Sequence, residues 1–178
     1  MDRSAIVHVA RWCVTNQSGI TYAQVRPIQG LGHPFHTPLA IDCSGFVTVC
    51  YNWAKAPDPN GLHYDGRGYT GTILQAGEPI RPEAALISDL IVFGRGTGNH
   101  VVLIVETGAN PLVASHGSDA GPRLIDYRSE FEWQKQHHGG DATVRFIRVR
   151  DAANVVEPLA TEAVDSLDLS TASNPASH

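Results

Sequence analysis

One cysteine of the sequence stands where a helix is predicted to begin. Asp42 is a favourable N-cap residue and Cys43 follows it, in the run Asp42-Cys43-Ser44-Gly45-Phe46. The unpaired N–H groups and the dipole of a helix N-terminus favour a negatively charged sulfur, the form that attacks a carbonyl. The N–H groups of Cys43 and Ser44 can contribute to an oxyanion hole, and Gly45 leaves space beside the sulfur. Cys43 is therefore a candidate nucleophile, and a small buried thiol at a helix start is the alternative.

A histidine at the head of a predicted strand is a candidate base. His100 follows the turn at 95–99 and precedes the apolar run 101–105. A polar ring at that point lies at a sheet edge, where it can face a cleft, and histidine exchanges protons near neutral pH. The alternative for His100 alone is a solvated histidine at a strand end.

The other histidines and cysteines form no recognisable metal motif. His33 and His36 lie close together, and His137 and His138 are adjacent, but neither pair has partners at the spacing of a structural zinc site. The cysteines at positions 13, 43 and 50 include no CxxC pair, and their odd number leaves at least one thiol free. We predict neither a metal nor a cofactor.

The predicted elements place helices before strands. Apolar residues at helical spacing behind Ser4 predict a first helix over 5–14, and repeated Gly and Pro predict a long loop over 16–41. The second helix is predicted from Asp42 or Cys43 to Ala56, where Pro57 ends it, and a short third helix ends before Gly77.

From Leu90 onward the apolar residues follow the pattern of short strands. The segments 90–93, 100–106, 112–116 and 144–149 are apolar and β-branched, and turn residues separate them. They predict an α+β domain in which the helices pack on one face of a small antiparallel sheet. Phe146 and Ile147 are adjacent in the last strand, which indicates a bulge or burial on both faces.

Charge divides the chain into a body and a tail. The net charge is −5, yet all 13 Lys and Arg residues lie at or before Arg150. Thirteen of the 18 acidic residues lie there too, so the body is neutral and has no nucleic-acid footprint. We predict one domain over 1–150 and an acidic, flexible tail or linker over 151–178.

The sequence predicts neither export nor membrane insertion. Residues 1–4 lead directly into the first helix without the pattern of a secretory signal, and no apolar run approaches the roughly 20 residues of a membrane span. We expect a monomer that is made in the cytoplasm.

The order of these motifs resembles the NlpC superfamily of papain-like cell-wall peptidases. The run 42–46 is followed by Asp89-Leu90-Ile91-Val92-Phe93 and then by His100-Val101-Val102, within a stretch from about Tyr22 to Pro122. The order Cys before His is that of the non-permuted form. The resemblance implies a papain-like fold in which the nucleophile opens a helix that packs on the sheet. It also implies that Cys43 is the nucleophile and His100 the base.

The resemblance also implies a third catalytic residue, on the strand beside His100, that orients the imidazole. We favour His116, which would hold the Nδ1 hydrogen of His100, and Ser115 is the alternative because a shift of one residue changes the face. Tyr22 matches a cleft-lining tyrosine of the family.

Tyr22, Asp42, Ser44 and Ser115 are the substrate-binding candidates. Two departures from the family pattern are the length of the loop after Tyr22 and a serine, Ser88, where a glycine is expected.

The function implied by the resemblance is hydrolysis of the peptidoglycan stem peptide through a thioester acyl-enzyme. The expected bond joins D-isoglutamate to the following diamino acid. Because no export signal is evident, we expect the peptidase module of a bacteriophage lysin, released through a holin and joined to a further lysin domain, or a virion-associated enzyme. The alternatives are a CHAP-like N-acetylmuramoyl-L-alanine amidase and a catalytically silent wall-binding module, and the presence of both Cys43 and His100 favours an enzyme.

Overall fold

The computed structural model describes residues 1–118 and 121–151, which form four α-helices and eight strands. The helices are α1 (Arg3–Thr15), α2 (Cys43–Trp53), α3 (Thr70–Ala76) and α4 (Tyr127–His137). The strands are β1 (Ile20–Tyr22), β2 (Leu39–Ile41), β3 (Glu78–Ile80), β4 (Leu90–Phe93), β5 (His100–Glu106), β6 (Leu112–Ser115), β7 (Arg123–Asp126) and β8 (Val144–Arg148). The predicted tail lies outside the described residues after Asp151, so the division into body and tail stays a prediction.

Six of the strands form one antiparallel sheet in the order β3-β8-β4-β5-β6-β7. Strand β5 lies inside this sheet, where His100 pairs with Phe93 of β4 and Leu103 pairs with Ala114 of β6. Strands β1 and β2 pair in parallel within the segment predicted as a loop. The predicted α+β class is confirmed, and over the described ranges no helix has the length and apolar character needed to cross a bilayer.

Helices cover both faces of the sheet. Helices α1 and α2 pack on one face, against alternate residues of β4 and β5 such as Leu90 and Leu103. The other face carries a second apolar cluster that includes Val102 and Phe146, and Phe131 of α4 packs against it. The predicted packing of the N-terminal helices on one face is confirmed. Helix α4 on the other face was not predicted, because it is mostly polar and its sequence shows no apolar stripe. The burial of the last strand on both faces is confirmed, since Phe146 and Ile147 belong to opposite clusters.

The two long N-terminal helices begin at capping aspartates. Helix α1 begins at Arg3, because the side chain of Asp2, not the predicted Ser4, accepts a hydrogen bond from the N–H of Ala5 at 3.0 Å. Helix α2 begins at Cys43, as predicted, with Asp42 as its N-cap, but it ends at Trp53, before the predicted end.

A buried carboxylate joins the first helix to the last described strand. Asp89 is fully buried and accepts hydrogen bonds from Arg3 at 2.8 Å and from Arg148 at 2.7 Å. The preceding Ser88 has a φ of 70°, in the left-handed region that favours glycine, which gives a physical reason for the glycine expected there. Its hydroxyl accepts a further hydrogen bond from Arg3 at 2.9 Å, an interaction that glycine cannot make.

We expect Asp89→Asn to lower the free energy of unfolding by about 3 kcal/mol, because it leaves two arginines facing a neutral group. Urea denaturation measures the change. Asp65→Asn is the control, since Asp65 is exposed and its hydrogen bond to the N–H of Arg67 is local. Equal losses in the two variants would contradict a special role for the Asp89 network.

Candidate active site

Cys43 is the first residue of α2 and is 5% exposed. Oδ1 of Asp42 accepts the N–H of Gly45 at 2.7 Å and the carbonyl oxygen of Asp42 accepts the N–H of Phe46 at 2.8 Å, which leaves the N–H groups of Cys43 and Ser44 without an acceptor within the helix. A Cβ on residue 45 would lie 3.1 Å from Cβ of Ile41 and 3.2 Å from Oδ1 of Asp42. Gly45 therefore keeps space for the capping aspartate, not for the sulfur as we predicted. The helix start presents Cys43 to a set of polarising N–H groups.

The imidazole of His100 is held between the thiol and two oxygen atoms. Its Nε2 lies 3.0 Å from Oγ of Ser115 and 3.3 Å from Oε1 of Glu130, and the Cys43 thiol lies close enough to the ring to interact with it. Because Nε2 is engaged on one side, Nδ1 is the nitrogen left for the sulfur. Burial disfavours the charged ring, but hydrogen bonds to Cys43 and Glu130 outweigh it and raise the pKa of His100 to about 9.

The structure does not bring His116 to the His100 ring as an orienting partner. Its own ring is fully buried, and Nε2 donates to the carbonyl oxygen of Ile41 at 3.0 Å. The alternative, Ser115, makes the contact with His100, and it does so at Nε2, not at the predicted Nδ1. Successive residues of a strand point to opposite faces, so the step from 115 to 116 decides which side chain faces His100.

His116 instead supports the segment that carries the nucleophile. Its bond to Ile41 ties the end of β6 to the residue two positions before Cys43. Burial lowers the pKa of His116, so the ring is neutral at neutral pH. The neutral His116 ring therefore holds the backbone before Cys43 in place and adds no charge to the site.

Tyr22 lies close to Cys43 and His116, while the side chains of Asp42 and Ser44 are occupied within the protein. The Tyr22 ring packs edge-on against His116 at a centroid distance of 5.6 Å. Burial raises the pKa of Tyr22, with the nearby Cys43 acting in the same direction, so the phenol stays protonated and can donate. Ser44 donates to Asp42 at 2.8 Å, and Arg26 donates to both side chains at 2.9 Å. The side chains of Asp42 and Ser44 thus brace the helix start.

Two residues of the site, Arg26 and Glu130, were missed by the sequence analysis. Arg26 lies in the segment predicted as an irregular loop, where no pattern marks it. Glu130 belongs to α4, whose N-cap Asp126 accepts hydrogen bonds from the backbone and hydroxyl of Ser129. That capping aspartate, with the glycines that follow the helix at 139–140, was the one signal that could have predicted α4.

A cleft opens beside Tyr22. It has a volume of about 690 Å³ and is lined by residues of the turn before β1, of β1 itself and of the segment after β6. The lining residues are Gln17, Ser18, Ile20, Thr21, Tyr22, Ser118 and Gly121. The cleft has room for several residues of an extended peptide.

Within residues 1–118 and 121–151, no three His, Cys, Asp or Glu side chains converge in a way that could hold a metal ion. All three cysteines are buried and free. The reactive arrangement consists of a thiol at a helix start, an imidazole close to it, and the oxygen atoms of Ser115 and Glu130 at the far nitrogen of that imidazole. Such a set can carry out nucleophilic attack on a carbonyl and protonate the leaving group.

Neither a protein-family model nor a curated protein matches the sequence. Solved structures do match the fold. The peptidoglycan hydrolase RipB from Mycobacterium tuberculosis is 22% identical with a TM-score of 0.50, over 84% of this chain and 67% of RipB. The P60 domain of antigen MAP1272c from M. avium paratuberculosis is 20% identical with a TM-score of 0.52, over 84% of this chain and 97% of that domain.

A third match is the lipoprotein-like NLP/P60 family protein from Staphylococcus aureus subsp. aureus Mu50, which is 21% identical with a TM-score of 0.50. The match covers 81% of this chain and 41% of the staphylococcal protein, so the chain spans less than half of that protein. These likenesses agree with the architecture described above, in which a helix that begins at a cysteine packs on an antiparallel sheet. The chain therefore has the papain-like fold of NlpC/P60 domains, as its motifs indicated.

Proposed function

We propose that this chain is a peptidoglycan hydrolase, acting as a cysteine endopeptidase on the stem peptide. The observation that carries the proposal is the contact between Cys43, at the start of α2, and the buried ring of His100. The fold supports the choice of substrate class, because one solved structure with this fold is named a peptidoglycan hydrolase.

The proposed reaction begins with attack of the Cys43 sulfur on the scissile carbonyl. The S–C bond forms as the C–N bond breaks, and the proton on Nδ1 of His100 passes to the leaving amine. Water then gives one proton back to Nδ1 and its OH to the acyl carbon, and the C–S bond breaks to release the carboxylic acid and the free thiolate. The N–H groups of Cys43 and Ser44 at the start of α2 stabilise the negative oxygen in both steps.

We propose further that the bond cut joins D-isoglutamate to the following diamino acid. The cleft lined by Tyr22 supports a peptide substrate, because it has room for an extended segment beside a residue that lies close to Cys43. An amidase would instead cut next to muramic acid, where a sugar must fit close to the sulfur.

Digestion of purified diaminopimelate-type peptidoglycan, followed by mass spectrometry, decides which bond is cut. We expect glycan strands that keep L-alanyl-D-isoglutamate and released fragments that begin with the diamino acid. Bare glycan strands with free stem peptides that begin with L-alanine would show an amidase instead. The Cys43→Ala chain is the matched blank, and an unchanged substrate with both proteins would favour a silent wall-binding module.

The route to the wall is also part of the proposal. We propose a bacteriophage lysin module that reaches its substrate after release through a holin, with a further lysin domain joined through the tail. The sequence supports it through the segment after Arg150, whose five acidic residues without a basic one are typical of a linker. Lysis of expressing cells only when a holin is co-produced is the expected result, and lysis without one would contradict this route.

A further inference from the structure

Helix α4 brings a buried carboxylate to the far side of the His100 ring. Glu130 is 1% exposed, and its Oε1 lies 3.3 Å from Nε2 of His100. Gln134, one turn further along the helix, donates to the same oxygen at 2.8 Å. The carboxylate is thus fixed from within its own helix and directed at the imidazole.

The start of α4 is fixed relative to His100 by separate contacts. Asp126 caps the helix and accepts a hydrogen bond from Asn110 at 2.9 Å. The ring of Tyr127 stacks on Phe93 at a centroid distance of 6.2 Å, and Phe93 stacks on His100 at the same distance. The helix that carries Glu130 therefore cannot shift without disturbing the packing around the His100 ring.

The titratable groups near His100 come from four parts of the fold. Cys43 of α2 and Glu130 of α4 act on the His100 ring directly, the neutral His116 after β6 lies near it without facing it, and Arg123 of β7 acts on Glu130. Burial raises the pKa of Glu130, but the contacts with His100 and Gln134 and the charge of Arg123 outweigh it, so the net direction is downward. Glu130 is accordingly ionised at neutral pH. A cationic His100 then lies between two groups that can both be negative, the Cys43 sulfur and the Glu130 carboxylate.

We propose that Glu130 is a positioning residue that keeps His100 in its charged imidazolium form, and that α4 is thereby part of the catalytic apparatus. The proposal rests on the proposed function, in which this imidazolium supplies the proton for the leaving amine. Glu130 stays ionised throughout the reaction and exchanges no proton. Ser115, the strand residue on the same nitrogen, orients the ring but carries no charge that could have this effect.

The test compares Glu130→Gln with Glu132→Gln in the full chain. Both variants remove one negative charge from α4, but Glu132 is exposed. The midpoint of the His100 titration is measured by NMR on protein that carries ¹³C-labelled histidine. The signal of His100 is assigned as the one that is missing from the His100→Ala spectrum. The rate of Cys43 alkylation by iodoacetamide is followed over the same pH range.

We expect Glu130→Gln to lower the His100 midpoint by about one pH unit or more, because an opposite charge at this distance shifts a pKa by about 1–3 units. In the wild type the imidazolium is lost as the pH rises through about 9, and in the variant this loss occurs at lower pH. The pH above which kcat/KM on peptidoglycan falls should be lowered by the same amount as the His100 midpoint. Glu132→Gln should leave all of these unchanged.

An unchanged His100 midpoint in a folded Glu130→Gln protein would overturn the proposal. An equal fall of the His100 midpoint in Glu132→Gln would also overturn the proposal, since it would show a general effect of the charge on α4. If Glu130→Gln does not fold, Gln134→Leu removes only the hydrogen bond that directs the carboxylate. It should lower the midpoint by a smaller amount, and no shift there would also refute the proposal. The NMR and alkylation readouts need no substrate, so a wild-type chain that fails to cut peptidoglycan would refute the proposed function without deciding this question.

Discussion

Replacing Cys43 with alanine is expected to reduce hydrolysis of purified cell walls by about 10⁴-fold or more, a loss on the scale of removing a catalytic nucleophile. The reason is that no other described cysteine can replace it. Cys13 and Cys50 are fully buried in the core between the helices and the sheet. Cys50 also lies seven residues beyond Cys43 in α2, roughly 10 Å along the helix axis. Release of labelled wall fragments measures the rate.

Cys13→Ala and Cys50→Ala are the matched controls for this experiment. Each should keep the wild-type rate and lose about 1 kcal/mol of stability, because each removes one small buried side chain. Iodoacetamide should inactivate the wild type and both controls, and EDTA should change none of them. A Cys43→Ala protein that still hydrolyses the wall would exclude the cysteine-peptidase mechanism, and activity lost in EDTA and restored by zinc would point to a metal enzyme.

The parts of the fold predicted correctly are those whose signals are local. Asp42 caps α2 through its own side chain, and His100 opens a strand whose apolar residues follow without interruption. Helix α4 was missed because its interior is mostly polar, and its place in the fold is set by the sheet face that it covers. Propensity and periodicity carry little information about an element whose partner surface comes from distant strands.

Only the parts of the site that leave a local pattern in the sequence could be predicted. Cys43 and His100 could be chosen as candidates because a helix start and a strand start each leave a pattern in the sequence. Which residue contacts His100 depends on which face of β6 it points to, and Ser115 and His116 point to opposite faces. The apolar run before them does not tell which of the two faces His100. Glu130 lies 30 residues from His100 in sequence, and only the packing of α4 brings them together.

Replacing His100 with alanine should reduce wall hydrolysis about as far as removing Cys43, since the two residues act as one unit and such losses do not add. Without the imidazole, the thiol has no group in contact to take its proton, and the leaving amine has no donor. The double variant Cys43→Ala/His100→Ala should be no slower than either single variant. His8→Ala is the control, because His8 is exposed on α1 and should leave the rate unchanged.

Ser115→Ala and His116→Ala separate orientation from support in the same assay. Ser115→Ala should lower kcat about 10-fold, a modest loss because Glu130 still holds Nε2 of His100. His116→Ala removes a fully buried ring and one of the two donors to the carbonyl of Ile41, the other being the N–H of Ala23, so it should lower the melting temperature as well as the rate. If His116→Ala instead lowered the rate as far as His100→Ala, with an unchanged melting temperature, His116 would be acting directly on the reaction and the roles assigned from these contacts would be wrong.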